Sequence, residues 1–196
     1  GAPSGAPARS GPVRVGTARP GAQAGAMQRP ERIEPGPGQE SVWDYPRPPR
    51  VERTDARIRV VHRGVVVADT TAAWRVLETS QPPAYYLPPD DVDQTVVRPA
   101  ATRTFCEWKG VASYVDVVVP DGAGGHVEVD DAGWWYGDPN PRFEPIRGHV
   151  AFYAQKLDEC WVDGEQVAAN EGSFYGGWIT SKVVGPFKGA PGTLGW

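Results

Sequence analysis

Short runs of β-branched and aromatic residues, each closed by a glycine- or proline-bearing turn, recur from about residue 57 to residue 168. No segment sustains a long apolar period of 3.6 residues. Such a chain folds by pairing short strands, because each run is too short for a helix and its partner lies one turn away. Residues 57–62 and 65–69 flank Arg63 and Gly64 and predict a hairpin. Residues 102–108 and 111–119 flank Lys109 and Gly110 and predict a second. In its second arm Val111, Ser113, Val115, Val117 and Val119 fall on one face, opposite Ala112, Tyr114, Asp116 and Val118. Residues 160–162 and 165–168, around Asp163 and Gly164, predict a third hairpin. Residues 126–129 and 149–153 read as further strands. Residues 72–79 read as a strand with Trp74 and Val76 on one face, the alternative being a short helix that pairs Trp74 with Leu77. Residues 133–145 read as an aromatic, proline-punctuated loop, and the prolines of 82–89 make that connection rigid and extended. The fold class expected is all-β: compact, antiparallel, with little helix.

The chain has 196 residues, 40% of them hydrophobic and 8 of them Trp, enough for one folded domain with a real core. Residues 1–40 are dominated by Gly, Ala, Pro and Arg and are expected to form a disordered extension. Met27 is the only methionine, so the natural start is expected there, with 1–26 an upstream extension. The β domain is expected over 41–170. The aromatic tail 171–196, with Phe174, Tyr175, Trp178, Phe187 and Trp196, is expected to pack on it. A net charge of −4 offers no basic excess for nucleic acid. No apolar run reaches the roughly 18 residues a membrane span needs. Two cysteines, Cys106 and Cys160, argue against a disulfide framework and for a cytoplasmic protein.

Several segments then match one pattern in order and spacing. They are 43–49 (Trp-Asp-Tyr-Pro-Arg-Pro-Pro), 82–92 (Pro-Pro-Ala-Tyr-Tyr-Leu-Pro-Pro-Asp-Asp-Val), 104–110 (Thr-Phe-Cys-Glu-Trp-Lys-Gly), 112–114, 134–141 (Trp-Trp-Tyr-Gly-Asp-Pro-Asn-Pro) and 148–153 (Gly-His-Val-Ala-Phe-Tyr). Over about 40–168 the chain resembles the bacterial and fungal family known as domain of unknown function 427. The tail segments 176–181 and 185–189 also look like its bacterial members. The resemblance implies a β fold of the β-tent type and no settled activity. The family also carries a nucleotidyltransferase-like label. Relatives often have His where this chain has Phe105. Related β-tent families hold zinc through paired CxxC motifs, which this chain lacks.

Each chemical signal has a bland counterpart. Cys106 stands three residues before Lys109, and a neighbouring cation favours a thiolate nucleophile. On an extended strand the two would face opposite sides unless the turn at Lys109 and Gly110 brings them together. The bland reading is a small buried hydrophobe. His149 is a candidate base or pocket donor, or a structural histidine; His62 and His126 flank turns and read as exposed. Asp90, Asp91 and Asp93 read as a solvated acidic turn, so no metal is expected, and nothing in the sequence calls for a cofactor. Nucleotidyl transfer needs a Gly-Ser turn followed by paired aspartates. Residues 124–131 lack the Ser, and 91–93 lack the preceding turn.

The aromatic set is the most informative: Tyr85, Tyr86, Trp108, Tyr114, Trp134, Trp135, Tyr136, Phe152 and Tyr153. Rings with a few polar groups make a small-molecule pocket, or else simply a core. The leading expectation is a non-catalytic module for an unidentified small ligand. Tyr86, Trp108, Tyr114 and Trp135 would be its walls, and Asp91, Lys109, Arg147 and His149 its polar groups. The alternatives are an enzyme using Cys106 with Lys109 or His149, and a protein-interaction module that presents the tail.

Overall fold

A computed structural model describes residues 30–196. The expected start at Met27 and most of the expected disordered extension lie outside that range. Fifteen short strands dominate. In chain order they are β1 (Glu40–Ser41), β2 (Arg50–Arg53), β3 (Ile58–His62), β4 (Val65–Thr70), β5 (Trp74–Leu77), β6 (Ala84–Tyr86), β7 (Val97–Cys106) and β8 (Gly110–Pro120). They continue with β9 (His126–Tyr136), β10 (Ala151–Phe152), β11 (Glu159–Val162), β12 (Glu165–Gln166), β13 (Ala168–Ala169), β14 (Trp178–Ile179) and β15 (Val183–Val184). Among the described residues helical structure is limited to 3-10 turns at Val42–Asp44, Pro89–Asp91 and Pro141–Ile146. The protein is mainly β.

The strands form two four-stranded antiparallel sheets, β10-β9-β8-β7 and β12-β11-β3-β4, and a three-stranded sheet β2-β5-β6. Two-residue pairs β13-β14 and β1-β15 complete them, the latter parallel. The turns at Arg63–Gly64 and Asp163–Gly164 have both central residues at positive φ (48° and 73°; 48° and 78°), the geometry that matches strand twist in a two-residue hairpin. Within 72–79, Trp74–Leu77 form a strand, β5, and not a helical turn.

The aromatic stretch at 133–136 is not a loop. It continues β9, where Ser113 pairs with Trp135 and Tyr114 with Trp134. Aromatic rings suit a pleated surface with a partner strand on each side, and that packing outweighs the punctuation that follows. The strand gets there through a bulge between Val115 and Val117, where Asp131 (φ 49°) donates its backbone N–H to Asp116 Oδ1 at 2.8 Å.

The two faces of the β7–β10 sheet serve different clusters. Val115, Val117 and Trp135 join an aliphatic core with Ile58, Val60, Val67 and Leu87. Ala112, Trp134 and Tyr136 join an aromatic cluster with Val76, Tyr86, Phe143 and Tyr153. Trp178 of the tail lies in the first core, 1% exposed, and its Nε1 donates to the Phe152 carbonyl at 2.9 Å.

Two sequence expectations need correcting. Residues 30–40 are tied down: Ile33 N–H donates to Gly185 O at 3.1 Å, and Gln39 Nε2 to Ser181 O at 2.9 Å. Backbone partners in the tail order a segment with little apolar surface of its own. His62 is buried, not exposed, because it ends β3 on the covered face; its Nδ1 accepts the Asp158 N–H at 3.2 Å.

Candidate functional site

The second predicted hairpin closes tightly. Cys106 pairs with Gly110, so only Glu107, Trp108 and Lys109 make the turn between β7 and β8. That turn brings Lys109 back over the face that carries Cys106, which an extended strand would not do. Asn140 pins it from the proline-rich loop: its N–H donates to Lys109 O at 3.0 Å, and its Nδ2 donates to Trp108 O.

The face beneath the turn is aromatic and polar at once. Lys109 Nζ lies 5.8 Å from the Tyr136 ring centroid and 5.9 Å from that of Phe143, within cation–π range of both. Cys106 packs against the same cluster as Tyr136. Tyr86 sits under them and accepts the Trp134 Nε1–H at 3.0 Å. Its ring meets Trp134 edge-on at 6.2 Å, and Trp134 meets Tyr153 at 4.6 Å. At the outer end the Tyr114 and Thr104 hydroxyls share a hydrogen bond of 2.9 Å.

Burial pushes the Tyr86 and Tyr136 phenols well above the usual tyrosine range, so both are neutral donors at physiological pH. Lys109 is pulled two ways. Burial of its ammonium end disfavours the charge, while Tyr86, Cys106 and Glu78 favour it, and the net direction is upward. Lys109 therefore stays an ammonium and is not a free amine nucleophile. Glu78 acts on it through space and is itself paired with Arg47 at 3.3 Å. Among the described residues no carboxylate lies within ion-pair distance of Lys109.

The sequence candidates divide. Tyr86, Cys106, Trp108, Lys109 and Tyr114 share this cluster. Tyr86 is 1% exposed, so it lies beneath the cluster's surface and is no open wall. Trp135 belongs to the aliphatic core on the other face, as strand alternation requires. Asp91 accepts the Thr70 hydroxyl at 2.7 Å, away from the cluster. Arg147 is engaged by Glu144 at 2.7 Å and by the Gly137 carbonyl, and His149 Nδ1 by the Arg147 carbonyl at 3.0 Å. Tyr136, Phe143 and Asn140 were not singled out as site residues. Reading 133–136 as a strand would have put Tyr136 and Trp134 on one face; nothing local marks Phe143 or Asn140.

An open cleft lies elsewhere. A cleft of about 630 Å³ runs between Glu40, Glu52, Tyr85, Asp163 and Lys182, with Arg75 at its base. Arg75 is already neutralised by Glu40 at 2.8 Å and Glu52 at 2.6 Å. Burial opposes its charge and the two carboxylates restore it, raising the guanidinium overall. A cation held by two carboxylates is a strut between β1, β2 and β5, whereas Lys109 has its charge to offer. The acidic trio Asp116, Glu128 and Asp130 lies within 4.8 Å on the surface, and Asp116 serves the β9 bulge.

No curated protein matches this chain. The family profile described as Domain of unknown function (DUF427) matches residues 50–163, which span β2 to the turn after β11 and include the whole Cys106–Lys109 hairpin. The chain belongs to the domain of unknown function 427 family.

Proposed function

We propose that the protein is a small-molecule-binding β module whose site is the Lys109 turn over the aromatic cluster, and that the ligand carries an anionic group. The observation that carries this reading is the half-buried Lys109, whose ammonium lies against two ring faces and, among the described residues, has no carboxylate within ion-pair distance. A half-buried ammonium without an ion-pair partner is a ready contact for a bound anion, since charge-assisted hydrogen bonds are the stronger ones. The half-buried Trp108 and Tyr114 offer apolar contact to the body of such a ligand. Two free thiols fit a reducing, cytoplasmic setting. Interaction through the tail is the weaker reading, since Trp178 is committed to the core, although Phe174 remains 76% exposed.

Aromatic carboxylates titrated into the full chain, read by tryptophan fluorescence, test the reading. Saturable binding should weaken about tenfold or more in Lys109→Met, the loss of one charge-assisted contact, with the thermal midpoint little changed. Equal affinity in both proteins would remove Lys109 from the site.

A further inference from the structure

We infer that Cys106 captures its ligand covalently, its thiol adding to the β-carbon of an anionic α,β-unsaturated carbonyl compound whose charge Lys109 holds. This rests on the binding reading above and adds the chemistry of the bound molecule.

The placement argues for it. Cys106 is half-buried at the end of β7 and packs on the aromatic cluster. The tight turn brings Lys109 back to that cluster, its ammonium 5.8 Å from the Tyr136 ring centroid. A thiol next to a cation and a neutral phenol has what conjugate addition needs: a nucleophile and two groups that stabilise an oxyanion. Acyl transfer asks for more, a base to activate the thiol and then water. His149, the base candidate read from sequence, is bound to the Arg147 carbonyl. A planar conjugated ligand also suits a site bordered by Trp108, Tyr136 and Phe143.

In the step itself the Sγ–C bond forms while the C=C π pair moves toward the carbonyl oxygen, giving an enolate. The proton leaving the thiol ends on the α-carbon. The adduct weighs the sum of the reactants, and no oxidant, reductant or leaving group takes part.

The probe is 3-benzoylacrylate, with its methyl ester as the uncharged control and saturated 3-benzoylpropionate as the non-reactive analogue. All are applied to the full folded chain. Intact mass should rise by one probe, mapped to Cys106. The acid should react at least about tenfold faster than the ester relative to a free-thiol standard, and Lys109→Met should erase that preference. Cys106→Ser should form no adduct yet still bind the saturated acid reversibly. If wild type binds the saturated acid but forms no Cys106 adduct, covalent capture is overturned and the binding reading stands. If it neither binds nor reacts, both fall. Equal relative rates for acid and ester, unchanged in Lys109→Met, would mean bare thiol reactivity and also overturn the inference.

Discussion

The two cysteines show how far environment separates identical side chains. Cys160 is 3% exposed on β11, packed among apolar residues, and burial pushes its thiol up to about 12. Cys106 is half-buried at a hairpin end beside a cation. A mild electrophile near neutral pH should therefore label Cys106 in the folded protein and Cys160 only after unfolding. Peptide mapping of the labelled chain checks this, and the reverse pattern would contradict the placement of both. Gly176 is a second residue-scale case. A Cβ there would meet the Trp134 ring at 2.2 Å and Tyr153 at 3.2 Å. Gly176→Ala should displace the indole that donates to Tyr86 and lower stability by roughly 1–3 kcal/mol, seen as a reduced denaturation midpoint together with weaker ligand binding.

Among elements, the turn between β7 and β8 depends on a loop far from it in sequence. Asn140→Ala removes the side-chain donor to Trp108 O while the backbone bond to Lys109 O can persist. Binding should fall more than stability does; a loss of stability alone would make the clamp merely structural. The β1, β2 and β5 strut behaves differently. Arg75, its bonds and its proximity hold the Glu40 carboxyl below its usual 4.5, against the opposing effect of burial. A carboxylate with a depressed folded pKa contributes stability that is complete above the unfolded value. That stability is lost as pH falls through the lower, folded one. The denaturation midpoint should thus hold above pH 4.5 and decline below it, and Glu40→Gln should flatten that decline. An unchanged acid slope would show that Glu40 and Arg75 do not couple.

At the scale of the molecule the tail is part of the core. Deleting 172–196 removes Trp178 together with β14 and β15, and should abolish cooperative unfolding. Trp178→Ala should cost roughly 3–5 kcal/mol, measured by denaturant titration; a folded, cooperative truncation would refute the packing. Much of this architecture was legible locally. Glycine turns at Gly64 and Gly164 and alternating β-branched runs are nearest-neighbour physics, so the hairpins, the mainly β class and the family pattern could all be read from the chain. Tyr86, Trp108, Lys109 and Tyr114 could be singled out as candidates for the same reason: ring-rich segments beside turns stand out. Which rings share a face could not be read once 133–136 was taken for a loop, because strand register exists only when a partner strand is paired. The meeting of Phe143 and Asn140 with the 107–109 turn, the burial of His62 and the pairing of Arg75 are contacts between segments distant in sequence. The sequence by itself determined the strands, their turns and the residue types available for chemistry. Tertiary contacts give Arg75 two carboxylates within ion-pair distance and leave Lys109 with none among the described residues, since a charge finds its partners across the fold and not along the chain.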